Sequence, residues 1–244
     1  MESNSGGLNS NLVKQWLNLI AIVGAFLVNT LSNFFPINGL SVGEISNRFF
    51  QDVIIIPANY AFAIWGVIYL GLISFGVYQV LPAQRDNPLL PRIGYLLVVA
   101  SLAQMIWIFL FDLRLFTISV VAMVLILLPL IGIYLRLGIG KERVSRKELW
   151  LVHIPLSVYL GWISVATIVN VAIALYSING NNWGFSPQVW TVIMLIAAAV
   201  IGAGVTMTDF SDYLIGVIAR QAGCTETVSF DSKLKAEKGF RCLE

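Results

Sequence analysis

Charged side chains are scarce in this sequence, and their scarcity excludes a soluble globular domain. Asp, Glu, Lys and Arg make up 11% of the 244 residues, whereas soluble domains have about 25%. So few charges cannot cover a water-exposed surface. A composition of 58% apolar residues with a mean hydropathy of +0.83 is typical of an integral membrane protein. The formal net charge of +2 gives no basis for a nucleic-acid partner, and we expect none.

Histidine and cysteine are also nearly absent, which removes most catalytic and metal-binding arrangements. The single histidine, His153, lies at the inner end of a predicted span, where we expect packing or an interfacial position rather than haem ligation. Cys224 and Cys242 lie in the C-terminal tail without metal-ligand spacing. The sequence has no nucleotide-binding loop, no Ser/His/Asp set and no intramembrane carboxylate pair. We therefore expect neither enzymatic activity nor a required cofactor.

The few charges leave long apolar runs between them. Each run is long enough to cross ~30 Å of hydrocarbon as a helix, and none contains Asp, Glu, Lys or Arg: residues 15–35, 57–81, 93–111, 115–135, 149–176 and 188–207. Continuous rather than alternating apolar residues favour helices over barrel strands. The sequence therefore predicts an all-α fold, a polytopic membrane helix bundle of about six transmembrane helices. Its divisions are a disordered N-terminus (1–12), the bundle (13–207) and a cytoplasmic tail (208–244).

The positive charges indicate the orientation of the bundle. If six spans alternate from a cytoplasmic N-terminus, thirteen of the fifteen Lys and Arg residues fall on the cytoplasmic side. The opposite side receives only Arg48 and Arg114. Because Lys and Arg are concentrated in cytoplasmic loops, we expect both termini in the cytoplasm. The protein is then a multi-pass component of the cell (inner) membrane, with the lipid bilayer as its first partner.

The sequence also predicts the positions or contacts of two outer segments and one span. The first outer loop, residues 36–56, is long enough to fold back over the mouth of the bundle. Asp112 and Arg114 lie in a short outer turn, where we expect them to pair with each other or to be solvated. In the sixth span the small residues Ala198, Gly202 and Thr206 recur every four positions. Such a run favours either a homodimer contact or internal helix packing, and the sequence does not choose between them.

Polar and amphipathic side chains at membrane depth form stripes on three predicted helices. Spacings of three and four residues put each set on one helix face: Trp65 and Tyr69 on the second span, Gln104, Trp107 and Phe111 on the third, and Tyr159, Trp162, Ala166 and Asn170 on the fifth. Converging faces would enclose a pocket with indole and phenol walls and two amides, which suits a flat, largely apolar ligand. The alternative is ordinary bundle packing, in which an amide bridging two helices contributes about 0.6 kcal/mol.

The stripes resemble the motifs of the tryptophan-rich sensory protein family, also called TspO/MBR or translocator protein. The run PANYAFAIWGVIY resembles the Pro-rich aromatic opening of that family's second helix, followed by Trp-x-x-x-Tyr. QMIWIFLF resembles its Asn-x-x-Trp with a following Phe, and YLGWISVATIVN resembles its Tyr-x-x-Trp with Asn eight residues later. The resemblance covers about residues 15–176. The chain departs from the pattern at several positions: Ala58 for the second Pro, Ala63 and Ile64 for Gly-Pro, Gln104 for Asn, and Val158 for Pro.

This resemblance implies a fold and a function. The fold would be a five-helix core with one added helix and a tail, a longer and divergent branch of the family. The function would be binding of a porphyrin, a related tetrapyrrole or a similar flat hydrophobic ligand inside the bundle, with a role in stress response or tetrapyrrole homeostasis. Porphyrin breakdown is contested in the family. Three indoles would be stacking walls and three polar side chains would be hydrogen-bond partners: Trp65, Trp107 and Trp162 for the walls, and Tyr69, Gln104 and Asn170 for the hydrogen bonds.

Two other classes of protein remain open from the sequence. A small secondary transporter normally keeps an ionisable residue inside its bundle, and the sequence offers only His153 near one edge. A non-catalytic assembly partner in a membrane complex would need no ligand at all. The absence of charged residues from the predicted spans favours the ligand-binding hypothesis over coupled transport.

Overall fold

The computed structural model describes residues 5–140, 144–179, 227–229 and 240–242. In the helical unit, which lies within residues 1–137 and 144–198, the described α-helices are α1 (Ser5–Phe34), α2 (Val42–Phe49), α3 (Ile64–Val80), α4 (Leu90–Ile93), α5 (Leu96–Asp112), α6 (Phe116–Arg136), α7 (Arg146–Glu148) and α8 (Ile154–Asn179). Short 3-10 helices cover Asn59–Ala63 and Pro82–Gln84, and a π-helical turn covers Leu149–His153.

The predicted all-α membrane bundle is confirmed. Four helical segments of the described residues are long and apolar enough to cross a membrane: Asn11–Phe34, Asn59–Val80, Phe116–Arg136 and Arg146–Ile178. The apolar helix α5 is shorter, at 17 residues, and corresponds to the third predicted span. The sixth predicted span, its small-residue run and the boundary at residue 207 lie outside the described residues.

Two boundaries differ from the prediction, each for a physical reason. Helix α1 begins at Ser5, so residues 5–12 are helical rather than disordered, because adding residues to an existing helix avoids the cost of nucleation. Helix α5 begins at Leu96, three residues after the predicted start of its span. Gly94 precedes it with φ +58°, a left-handed conformation that glycine adopts readily and a right-handed helix excludes.

The second unit has described strands that the sequence did not predict. Strand β1 (Thr227–Ser229) pairs in parallel with β2 (Phe240–Cys242), and Thr227 is opposite Phe240. Both strands fall in the predicted cytoplasmic tail. Each has three residues, too few for the alternating pattern that identifies a strand in a sequence.

The five long apolar helices contact one another in a closed ring. Helix α3 packs on α1, α1 on α5, α5 on α6, α6 on α8, and α8 returns to α3. Helices α3 and α8 come very close at Gly71, where a Cβ would lie 3.1 Å from the Cβ of Pro155. On the outside of the ring, α1 exposes Leu17, Ile20, Leu27 and Leu31. In a membrane this face contacts lipid.

The predicted outer loop, residues 36–56, folds over one end of the ring. Its helix α2 begins with a capping box, in which Ser41 and Glu44 each bond the other's backbone N–H. Helix α2 packs against α5 and against the 3-10 helix that leads into α3. Behind it, Phe50 packs edge-to-face on Phe116 of α6 and Tyr176 of α8, at centroid distances of 5.0 and 5.8 Å. The loop therefore forms a lid held to three sides of the bundle.

The turn between α5 and α6 places Asp112 differently from the expectation that it pairs with Arg114 or is solvated. Asp112 is fully buried, and its carboxylate oxygens have no hydrogen-bond partner in the described part of the chain. The side chain of Asn38 in the lid donates to the backbone carbonyl of Asp112 at 2.8 Å. Arg114 adopts φ 60° and places its guanidinium 4.5 Å from the ring centroid of Phe49. Arg114 is therefore exposed and lies over Phe49, whereas Asp112 is buried and does not pair with it.

Candidate ligand-binding site

A slot with aromatic walls lies under the lid, inside the half of the ring nearest to it. Its lining residues come from α2, the segment before α3, and helices α3, α5 and α8: Val42, Ser46, Pro57, Phe62, Trp65, Trp107, Phe111, Trp162, Val165, Ala166, Val169, Asn170 and Ile173. The slot has a cavity volume of about 30 Å³, room for little more than one water molecule. It is therefore narrow and nearly filled by its own side chains.

Aromatic contacts form the walls of the slot. The ring of Trp162 meets Phe62 at 6.1 Å and Trp65 at 6.4 Å, both edge-to-face. Opposite them, Trp107 packs on Phe111 at 5.3 Å. The indole Nε1 of Trp162 is buried and has no hydrogen-bond partner among the described residues. Buried indole N–H groups normally have a partner, so the unpartnered N–H of this slot-lining residue marks it as a candidate contact for a bound molecule.

A hydrogen-bond network holds Trp107 in its wall. Its Nε1 donates to Oδ1 of Asn170 at 2.7 Å, and Nδ2 of Asn170 donates to Oγ of Ser119 at 2.9 Å. Ser119 is fully buried on α6, and the network therefore joins α5, α8 and α6. Asn170 lines the slot as predicted, but its amide positions Trp107. The sequence analysis missed Ser119, because a serine in an apolar helix gives no signal without its partner.

A second network lies beside the slot. The hydroxyl of Tyr159 donates to Oε1 of Gln104, and Nε2 of Gln104 donates to the hydroxyl of Tyr69, each at 2.5 Å. The hydroxyl of Tyr69 then donates to the backbone carbonyl of Ala25 at 3.0 Å. All three polar side chains are buried, and the chain of bonds crosses the ring from α8 through α5 and α3 to α1. Their polar groups are already paired with one another.

The structure thus divides the nine predicted site residues into two groups. Six of them line the slot: Trp65, Trp107, Phe111, Trp162, Ala166 and Asn170. The other three belong to the buried network: Tyr69, Gln104 and Tyr159. The predicted role of Tyr69 and Gln104 as hydrogen-bond partners of a ligand does not fit this geometry, because each already pairs inside the protein.

Comparison with known protein families assigns the chain to one of them. A family whose members are described as TSPO-like protein matches residues 15–219. The chain belongs to the TSPO-like protein family. The match continues past residue 176 and includes residues 188–207, so the sixth predicted span lies within the family pattern. No curated protein and no solved structure matches the chain.

Membership of the TSPO-like family makes this chain a multi-pass membrane protein. Three elements that carry the family resemblance, on α3, α5 and α8, are the ones whose aromatic side chains form the slot. The lid residues Val42 and Ser46 also line it, and sequence reasoning did not select them. His153 is buried in the π-helical turn before α8 and does not line the slot. No group of three His, Cys, Asp or Glu side chains comes together within the described ranges.

Proposed function

We propose that this TSPO-like protein binds a tetrapyrrole or a similar flat, largely apolar ligand in the aromatic slot. The observation that carries the proposal is that Trp162 lines the slot and its buried Nε1 has no hydrogen-bond partner among the described residues. Stacking on the walls would hold the ring system, and the N–H would fix its orientation. The role we infer is tetrapyrrole homeostasis or stress response, without catalysis, as in the tryptophan-rich sensory proteins that the motifs resemble.

Binding requires the slot to widen. Its cavity volume of about 30 Å³ is far below the ~300–1,000 Å³ of small-molecule pockets and suits only water. The lid is attached by the buried ring of Phe50 and, at its surface, by a 2.9 Å hydrogen bond from the Tyr176 hydroxyl to Asp52. Movement of this lid and rotation of Trp65 or Trp162 would open the slot, as ligand-linked loop shifts do in other proteins.

Tryptophan substitution tests the site directly. We expect protoporphyrin IX to quench the intrinsic fluorescence saturably, and Trp162→Ala to weaken binding about tenfold, since it removes a stacking wall and the free donor. Trp65→Phe should weaken binding less, because it keeps an aromatic ring. Dissociation constants would come from the porphyrin absorbance band, which does not depend on how many tryptophans remain.

The matched control is Trp150→Ala, which removes an indole that is 65% exposed and does not line the slot. It should leave the dissociation constant unchanged. Equal affinities for Trp162→Ala, Trp150→Ala and the unaltered protein would reject the slot as the binding site.

The orientation of the chain is part of the proposal. We propose that both termini are cytoplasmic in the cell (inner) membrane, on the support of thirteen of fifteen basic residues on one side. A membrane-impermeant maleimide should then label Cys224 and Cys242 only after intact cells are permeabilised. Ile37→Cys, in the outer loop and half exposed, should be labelled without permeabilisation. The reverse pattern would overturn the topology.

A small ion-coupled transporter is the second candidate function, and buried Asp112 favours it. An ionisable side chain fully buried in a membrane bundle is a usual feature of coupled carriers, and its carboxylate has no hydrogen-bond partner among the described residues. If this candidate holds, a pH gradient will drive porphyrin uptake into proteoliposomes, and Asp112→Asn will abolish it. The control Asp86→Asn changes an exposed residue and will not. Porphyrin uptake that does not depend on the pH gradient would reject the transporter function.

A further inference from the structure

A second and more polar groove adjoins the aromatic slot at the outer end of the bundle. It is bounded by the end of α1, the start of α2 and the 3-10 helix before α3, and has about 970 Å³ of empty space, part of it open to solvent. Four side chains line both the groove and the slot: Val42, Phe62, Trp65 and Trp107. The slot and the groove are therefore adjacent and share one wall.

Oxygen and nitrogen atoms line the far side of this groove. They belong to five polar side chains: Asn29, Asn33, Ser41, Glu44 and Asn59. The amide of Asn59 lies so close to α2 that a Cβ on Gly43 would be 2.5 Å from its Oδ1. The slot, by contrast, has almost entirely apolar walls. A ligand that occupied both would need a flat apolar body and a polar arm.

Glu44 gives the groove its charge. It is the only ionisable side chain among the described residues that line the groove. The backbone N–H and the hydroxyl of Ser41 both donate to its Oε2 at 2.8 Å. These hydrogen bonds lower the pKa of Glu44, so the side chain is a carboxylate at neutral pH. Arg48, one turn further along α2, offsets this negative charge only in part and does not line the groove.

We propose that the groove holds a basic arm of the ligand, an ammonium group, while the ring system lies in the slot. The proposal rests on the proposed function and narrows its ligand class. Both hydrogen bonds from Ser41 end on Oε2, which leaves Oε1 of Glu44 to accept from a donor on the ligand. A carboxylate arm would instead meet a like charge, and that repulsion gives selectivity. The amide oxygens of the groove's asparagines add neutral acceptors beside the Glu44 carboxylate.

The test uses three porphyrins with one ring system and different arms. Protoporphyrin IX carries two carboxylates, its dimethyl ester is neutral, and its bis-amide with N,N-dimethylethylenediamine carries two ammonium groups. Dissociation constants would be measured by absorbance on the full-length protein in nanodiscs of zwitterionic lipid. Each porphyrin is compared only between the unaltered protein and a variant, so differences in membrane partitioning cancel.

Glu44→Gln is the decisive variant, because glutamine at this position preserves the capping box. We expect the substitution to raise the dissociation constant of the ammonium porphyrin about fivefold, the effect of losing one exposed charge pair. It should lower the dissociation constant of the dicarboxylate porphyrin by a similar factor and leave that of the dimethyl ester unchanged. High salt should reduce both effects. Asp86→Asn is the matched control: it removes one exposed negative charge outside the groove and should change none of the three constants.

The outcomes separate the two proposals. If Glu44→Gln changes the three affinities by the same factor, or changes none of them, the basic-arm subsite is rejected while binding in the slot stands. If none of the three porphyrins binds the unaltered protein saturably, the proposed function fails and the subsite fails with it.

Discussion

Replacing Ala166 by phenylalanine is expected to abolish saturable porphyrin binding while the bundle stays folded. Ala166 lines the slot, where only about 30 Å³ admits the centre of a water molecule. A phenyl ring at this position would occupy the space that a ligand needs, between the Trp65 and Trp107 walls. Overpacking costs typically 1–3 kcal/mol. The partly exposed position of Ala166 keeps the expected cost at the low end of that range.

Two measurements check this prediction together. Porphyrin absorbance titration should show no saturable phase for Ala166→Phe, and circular dichroism should show unchanged helix content. The control is Ala83→Phe, the same chemical change at an exposed site after α3, which should bind like the unaltered protein. Normal affinity in Ala166→Phe would place the ligand elsewhere.

Replacing Gln104 by leucine is expected to destabilise the bundle by about 1–3 kcal/mol, the usual cost of leaving a buried polar group unsatisfied. The substitution removes the acceptor of the Tyr159 hydroxyl and the donor to the Tyr69 hydroxyl. Tyr69 still donates to Ala25, so most of the loss falls on Tyr159. The free energy of unfolding would be measured by denaturant titration in bicelles.

The chain provides a matched control at Gln79. Gln79 is as buried as Gln104, at 1% exposure each, but its Nε2 has no hydrogen-bond partner among the described residues. Gln79→Leu should therefore be neutral or stabilising. Adding Tyr159→Phe to Gln104→Leu should cost little more, because the hydroxyl it removes is already unsatisfied. Equal destabilisation by both Gln→Leu changes would contradict the network.

The polar residues show how far prediction from the sequence could go. Spacing placed Trp107 and Asn170 on inward faces, and the structure brings both to the slot. The spacing could not show that these two side chains form a hydrogen bond, or that Ser119 completes the network. An amide can donate and accept in several directions, and its partner depends on the rotation and crossing of helices that lie far apart in the chain.

Asp112 illustrates the same limit at the end of a helix. In the sequence it stands two residues before Arg114, and proximity favoured an ion pair or solvation. In the structure the left-handed backbone at Arg114 and the packing of the lid bury the carboxylate instead. The short outer turn gave no periodic pattern from which such a backbone conformation could be inferred.

The sequence by itself determined that this protein is a helical membrane bundle and which helix faces carry aromatic and polar side chains. Uncharged segments of this length satisfy their backbone groups in lipid by forming helices, and helical periodicity assigns side chains to faces. Only the tertiary structure decided which polar groups pair with one another and which, such as Nε1 of Trp162, have no partner in the described part of the chain. Whether two polar groups pair depends on distances between neighbouring helices, and the periodicity of a single helix carries no information about those distances.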